Sequence, residues 1–274
     1  MKVEQSAVWA VYFSATGKTR TAVTCVAKKL AQTWDVPCKE FDFTLPEARE
    51  KPLAFGPTDF VVFGTPVYAG RVPNVLLSYL GTIQGGGAQA VPMVTYGNRA
   101  FDDALIELRD LLEADGFHTV AAAAMIGEHS FSTTLAKGRP DAQDLAFAEA
   151  FADKVAKAVE EGSVTTPVQV PGVPYPYRGY YIPKDREGRS VDIRKVKPQV
   201  SSACTRCMVC VGLCPMGSIS REDVTAYTGI CIKCGACIKG CPENARYYVD
   251  KGYLYHKKEL EEMFERRAEP ESIP

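Results

Sequence analysis

The chain has 274 residues, of which 46% are hydrophobic and 24% charged, and its formal net charge is −1. The composition excludes wholesale disorder, the length admits one large domain or two modest ones, and the lack of a basic excess argues against binding along a nucleic-acid duplex. No apolar run approaches the roughly 20 residues a membrane helix needs, and the first apolar stretch runs straight into a Ser-Ala-Thr-Gly turn, so neither a membrane span nor a signal peptide is predicted and the cytoplasm is the expected location.

Strand-like and helix-like segments alternate from the start. AVWAVYFS (7–14) is a continuous apolar run, the mark of a strand buried on both faces. A helix is predicted from Gly17 to Trp34, with Val23, Val26, Ala27 and Leu30 on one face. VPCKEFDF (36–43) reads as a second strand, DFVVFGTPVY (59–68) holds the third, and a short helix follows Pro73. AVPMVTYG (90–97) is the fourth strand, and FDDALIELRDLLEADG (101–116) is a helix stopped by glycine. HTVAAAAMIGE (118–128) is the fifth strand, and DAQDLAFAEAFADKVAKAVEEG (141–162) the last helix of this part. Five strands alternating with helices predict an α/β fold, a doubly wound parallel sheet in the flavodoxin-like order 2-1-3-4-5. Cys25 and Cys38 read as buried, inert thiols, and His118 as structural at a strand start.

Ligands of such sheets bind beyond the carboxyl ends of the strands. The first loop there is SATGKT (14–19), whose hydroxyls and amides at a helix start form an anion site. A nucleoside-triphosphate loop competes, but that motif needs glycine at position 12, where Tyr12 stands. GTPVYAGRVPN (64–74) follows strand three, TYGNRAF (95–101) follows strand four, and GEHSFS (127–132) leaves the sheet on the same side. His129 in the last loop reads either as a proton donor near a ligand or as a polar loop residue touching the second domain.

Residues 164–198 carry five prolines of the 167–183 stretch together with Tyr175, Tyr177, Tyr180 and Tyr181, too aromatic for a free linker, and are expected to pack across two domains. The basic run Arg194–Lys197 leads into the cysteines. Eight of the ten cysteines then form two copies of C-x2-C-x2-C-x3-C-P, 27 residues apart: Cys204, Cys207, Cys210, Cys214 with Pro215, and Cys231, Cys234, Cys237, Cys241 with Pro242. A [4Fe–4S] cube needs four thiolates, three from one tight loop, and in runs of this spacing the fourth cysteine ligates the other cluster. The expected sets are therefore Cys204, Cys207, Cys210 and Cys241 for the first cluster, and Cys231, Cys234, Cys237 and Cys214 for the second. A disulfide framework would suit a secreted chain, zinc would favour two separated CxxC pairs, and purely structural clusters are a third alternative. The tail, KKELEEMFERRAEPE (257–271), reads as a helix packed on one domain.

Residues 199–250 resemble the bacterial two-[4Fe–4S] ferredoxins at all eight cysteines and both prolines. Ser14, Thr16, Gly17 and Thr19 match the flavodoxin phosphate motif (S/T)-x-T-G-x-T, with Lys18 at its variable position. The resemblance implies that these hydroxyls and amides hold the phosphate of FMN. It also implies that Thr65, Pro66, Val67 and Tyr68 from the second loop, and Tyr96, Gly97, Asn98 and Arg99 from the third, surround the flavin ring. Tyr68 and Tyr96 would lie near its faces; Asn98 and Arg99 would hydrogen-bond it or stabilise its reduced anion, the alternatives being that Tyr68 simply packs and that Arg99 pairs with Asp102 or Asp103. The whole chain is similar to the anaerobic flavodoxin–ferredoxin fusion family. The expected organisation is a flavodoxin-like FMN domain (1–163), a Pro/Tyr-rich connector (164–198), a small α+β ferredoxin domain (199–250) and a helical tail (251–274).

Such a combination predicts an electron-transfer flavo-iron–sulfur protein that moves electrons between two [4Fe–4S] clusters and FMN and couples one- and two-electron partners. One alternative is a terminal FMN-dependent reductase of a small acceptor, a quinone or nitro compound, fed by the clusters. Another is a non-redox protein-binding module with structural clusters. No second nucleotide-binding motif offers direct NAD(P)H oxidation, so redox protein partners are expected; a homodimer is left open.

Overall fold

A computed structural model describes residues 5–273. The outer bounds of the first and last predicted segments, residues 1–4 and 274, lie outside the described residues. Strands β1 (Ala7–Tyr12), β2 (Cys38–Asp42), β3 (Asp59–Pro66) and β4 (Gln89–Tyr96) are joined by a fifth strand split into β5 (His118–Thr119) and β6 (Ala122–Ile126). All pair in parallel, in the order β2-β1-β3-β4 and then β5 and β6 against β4. That is the expected flavodoxin-like order.

The apolar runs alternate between two cores, as strand geometry requires. Val8, Ala10 and Tyr12 of β1, with Phe60 and Val62 of β3, face helices α1 (Lys18–Trp34) and α4 (Ala142–Glu161). Val11, Val61 and Phe63 face the other way, toward α2 (Leu77–Leu80) and α3 (Ala104–Ala114). Helix α4 starts on a reciprocal Asp141–Asp144 capping box and stops at Gly162, whose φ of 67° suits glycine.

Several expectations need correction. Cys38 is exposed rather than buried, because β2 is the edge of the sheet and four of its five residues face solvent. Cys25 is only half-buried, and His118 does start a strand but is exposed. Strand five breaks at Val120–Ala121, where Val168 of the connector donates to the Thr119 carbonyl at 3.0 Å. The tail helix begins and ends earlier than expected: α7 covers Lys251–Met263. Beyond it lies an unforeseen strand, β9 (Glu271–Ile273), which pairs antiparallel with β6 and covers that edge of the sheet.

The connector is bound rather than free. Asp103, buried at the start of α3, accepts from the Val173 and Arg178 N–H groups, both at 2.9 Å, and pairs with the Arg178 guanidinium. Tyr177 donates to Asp110 at 2.7 Å and Tyr180 to the Val72 carbonyl at 3.0 Å, while Tyr181 stacks on His256 of α7. Tyr175 is the exception, 81% exposed.

The cysteine-rich part is small. An antiparallel ribbon, β7 (Gln199–Val200) with β8 (Arg246–Tyr247), and two one-turn helices, α5 (Val209–Gly212) and α6 (Ala236–Lys239), surround an apolar cluster of Cys210, Val211, Ile219 and Val224. So small a core cannot hold a fold of this size without cross-links or metal.

Candidate functional site

Beyond the carboxyl ends of the strands lies a polar pocket. Its walls are Ser14, Ala15, Thr16, Lys18 and Thr19 from the first loop, Pro66, Val67 and Tyr68 from the second, Thr95, Tyr96 and Gly97 from the third, and Gly127–Ser130 from the fourth. Gly17 sits behind this wall as the residue before α1, with a φ of 80° that side chains rarely adopt. The first helical N–H groups have no intrahelical acceptor. Ser14 Oγ accepts from Arg20 N–H at 2.9 Å and the Gly17 carbonyl from Thr21 N–H at 3.0 Å, which leaves the Lys18 and Thr19 amides for a ligand. Ser14 is itself fixed by donating its N–H to Thr44 Oγ1 at 2.7 Å. Among the described residues the buried Thr95 and Thr65 hydroxyls have no partner, and Thr95 faces the pocket. Hydroxyls, helix-start amides and an unpaired buried oxygen fit a phosphorylated polar ring such as FMN.

Two expected ring contacts are elsewhere. Asn98 is buried and its amide is spent on the tail: Nδ2 donates to the Phe264 and Arg266 carbonyls at 2.6 and 2.7 Å, and Oδ1 accepts from Ala268 N–H at 3.2 Å. Arg99 pairs with Asp102 and lies over the Tyr181 ring. Neither lines the pocket. Thr65 is buried within β3 and is also outside it. In exchange, the fourth loop supplies a wall that the motif comparison did not assign; its only signal was its place at the carboxyl end of strand five. His129 packs against Gly97, and its Nδ1 accepts from Phe131 N–H at 3.1 Å, so the neutral ring carries its proton on Nε2. Burial, with the cations of Lys239 and Arg99 nearby, holds the imidazole down to about 3, which removes it as a proton donor near neutrality.

The eight cysteines fall into two groups. Cys204, Cys207, Cys210 and Cys241 line one cavity; Cys214, Cys231, Cys234 and Cys237 line another. Among the described residues no three donors converge on a single ion, whereas a cube spreads its four thiolates round a larger body. Local backbone repeats with the sequence. Arg206 and Lys233 both have φ 56°, Met208 and Gly235 have 65° and 77°, and Gly217 and Asn244 have 57° and 49°. The tight turns bring N–H groups onto sulfur: Ser218 N to Cys214 Sγ and Ala245 N to Cys241 Sγ, both 3.3 Å, and Arg206 N to Cys204 Sγ at 3.4 Å. Hydrogen bonds to thiolate sulfur are what an anionic cluster site requires.

Pocket and second cavity meet at the fourth loop. Gly235 abuts the Ser130 carbonyl, and Lys239 Nζ reaches Glu128 Oε1 at 2.6 Å and the His129 carbonyl at 2.7 Å. Arg49 Nη2 donates to the Pro215 carbonyl at 2.6 Å.

Comparison with known proteins agrees with the cysteine reading. A family model described as a 4Fe-4S binding domain matches residues 201–217 and 228–248, which include all eight clustered cysteines. No curated protein matches the chain in sequence. Among solved structures, a flavodoxin from the domain Archaea is similar at 13% identity, covering 56% of this chain and 98% of its own, with a TM-score of 0.39. Flavodoxin 2 from Bacillus cereus is similar at 18% identity, covering 55% of this chain and 98% of its own, with a TM-score of 0.39. Residues 201–248 thus carry a 4Fe-4S binding domain, joined to an α/β domain of flavodoxin-like strand order, an arrangement consistent with a flavodoxin–ferredoxin fusion.

Proposed function

We propose that the chain is an electron-transfer flavo-iron–sulfur protein holding two [4Fe–4S] clusters and one FMN, and that it serves redox protein partners. The observation that carries the reading is the division of the cysteines into two crossed sets of four, each lining its own cavity, with the second cavity abutting the loop that walls the polar pocket. In this reading Cys204, Cys207, Cys210 and Cys241 hold one cluster, and Cys214, Cys231, Cys234 and Cys237 the other. Ser14, Thr16, Thr19 and the Lys18 amide hold the flavin phosphate; Pro66–Tyr68, Tyr96 and Gly97 flank the ring. A cube exchanges one electron at a time and FMN one or two, so the pair converts between the two kinds of donor. The chain's own part is to keep the groups close, to bury their edges and to fix the phosphate. Residues 1–163 form the flavin unit, 164–198 the connector, 199–250 the cluster unit, and 251–274 the tail that returns to the first unit.

The test is the flavin and iron content of anaerobically purified protein. About one FMN to eight irons is the content of one flavin and two cubes. About four irons would remove one cluster from the reading, and a full iron complement that takes up no added FMN would remove the flavin.

A further inference from the structure

We infer that the two cysteine loops are specialised: the second is built to seat on the wall of the flavin pocket, and the first is left as the face through which electrons pass to and from an outside one-electron donor or acceptor. The inference rests on the proposed function above, and its argument is a break in the 27-residue repeat.

At three places where the second loop touches the α/β domain, the equivalent positions of the repeat carry different residues. Gly235 abuts the Ser130 carbonyl, and a Cβ there would collide with it. Its equivalent is Met208, which adopts nearly the same backbone, φ 65° against 77°. Methionine at 208 shows that the turn itself accepts a side chain, so glycine at 235 answers to the close approach and not to the turn. Lys239, bound to Glu128 and the His129 carbonyl, corresponds to Gly212, which has nothing to reach with. Ile232 packs on the apolar core of the α/β domain; its equivalent Thr205 is exposed. Pro215, whose carbonyl Arg49 binds, is buried, while its equivalent Pro242 is exposed.

The three substitutions, and the burial of Pro215 against the exposure of Pro242, point one way. Cys234–Ala236 is buried, whereas at the equivalent positions Cys207 and Val209 are exposed and Met208 is half-buried. By the crossed ligand sets, Cys214–Pro215 belongs with the second cavity, so its anchoring through Arg49 fixes the same site. A duplicated domain has no reason to differ in this pattern unless one half docks and the other stays open. Each passage moves one electron: the outside donor is oxidised by one, the first cluster and then the second are reduced and reoxidised in turn, and two passages supply the pair that FMN accepts together with protons from solvent.

The experiment compares Gly235→Ala with its mirror Met208→Gly in the full, anaerobically purified chain. The first readout is amide exchange at Phe131 and Ser132, which needs no turnover; the second is the rate of flavin bleaching after mixing with dithionite. Gly235→Ala is expected to keep iron and flavin, to raise exchange in this loop about tenfold and to slow bleaching by a similar factor; Met208→Gly leaves exchange at Phe131 and Ser132 unchanged. Lys239→Gln, which removes only the Glu128 and His129 contacts, gives the same signs if Gly235→Ala loses iron. Unchanged exchange and rate in both Gly235→Ala and Lys239→Gln, or an equal rise in exchange at Phe131 and Ser132 in Met208→Gly, would overturn the assignment. If the wild-type chain binds no flavin, the proposed function fails while the exchange comparison still decides whether the second loop docks.

Discussion

Replacing Asn98 by alanine separates a ligand contact from a clamp. Asn98 is 4% exposed and adopts φ 68°, a conformation in which asparagine is far more at ease than alanine. Its amide makes three hydrogen bonds to the tail, to Phe264, Arg266 and Ala268. Three bonds at about 0.5–1.5 kcal/mol each, with roughly 1 kcal/mol of backbone preference, give a loss of about 2.5–5.5 kcal/mol. The partners lie in a peripheral segment, so the loss appears as local opening of the tail before global unfolding. Amide exchange at Ala268 and Ser272 reports it, with a denaturant melt beside it. Asn98→Gly loses the same bonds but not the backbone preference, and is expected to sit about 1 kcal/mol above alanine. A tail that stays protected in Asn98→Ala while flavin content collapses would refute the clamp and restore Asn98 as a ring ligand.

Four further outcomes are expected. Gly17→Asp places a negative charge at the start of α1, at the proposed phosphate site, and is expected to expel flavin; Gly17→Ala, which bears the same backbone strain at φ 80° but adds no charge and has open space around its Cβ, keeps more of it, and equal flavin contents would refute the phosphate site. Cys210→Ala is expected to lower iron to about half with flavin retained, as one cube of two is lost; joint loss of both would show that the sites are not independent. Glu107, 3% exposed, accepts from Arg71 Nε and Nη2 and from the Val72 N–H, so Glu107→Ala leaves the half-buried Arg71 guanidinium without its counter-charge and the buried Val72 N–H without its acceptor, at a cost of about 3–5 kcal/mol in a urea melt, and a loss under 1 kcal/mol would refute the ion-pair argument. Burial holds His256 near 4 and His129 near 3, below the roughly 6.5 of an unfolded chain, so the unfolded state binds the extra protons and stability falls as pH drops from about 7 toward 4, by at most about 1.4 kcal/mol per pH unit for each histidine. A His129→Gln, His256→Gln protein should show a flatter profile between pH 5 and 7; an identical slope would place the acid sensitivity elsewhere.

The strand order and the 4Fe-4S character of the cysteine run were legible because each rests on short-range periodicity: continuous apolar runs for strands buried on both faces, and a spacing that admits few metal geometries. What escaped the sequence is long-range. Glu271–Ile273 is too short and too polar to announce itself as a strand, and it exists because the edge of β6 needs a partner. Cys38 looked apolar and inside, but a strand's burial depends on its place in the sheet, and β2 is at the edge. Asn98 stood in a loop expected to flank the ring and carried the right chemistry; nothing local says that a segment some 170 residues later takes its amide. Gly235 and Met208 differ visibly in sequence, yet the difference acquires meaning only when Ser130 is found against one of them.

The tail also explains how a contact as spare as Gly235 on Ser130 persists. A cluster unit hung on one linker would sample many orientations, and the contact would be lost for most of the time. Here the unit is held at both ends. On the entry side, Arg178 pairs with the buried Asp103, and Tyr177 and Tyr180 are bonded to the α/β domain. On the exit side, Asn98 holds Phe264–Ala268, Arg267 pairs with Asp141 at 2.7 Å, and β9 joins the sheet. Between these anchors α7 leans back toward the pocket wall, with Tyr253 on Phe131 and Glu261 accepting from Ser132 at 2.5 Å. Each bond is modest, but every one joined after the first is intramolecular and loses little further freedom, so the set holds where no single member would. The chain thus converts ordinary polar contacts at its two ends into a fixed seat for the second cysteine loop, and leaves Thr205–Cys207 and Val209 of the first loop exposed.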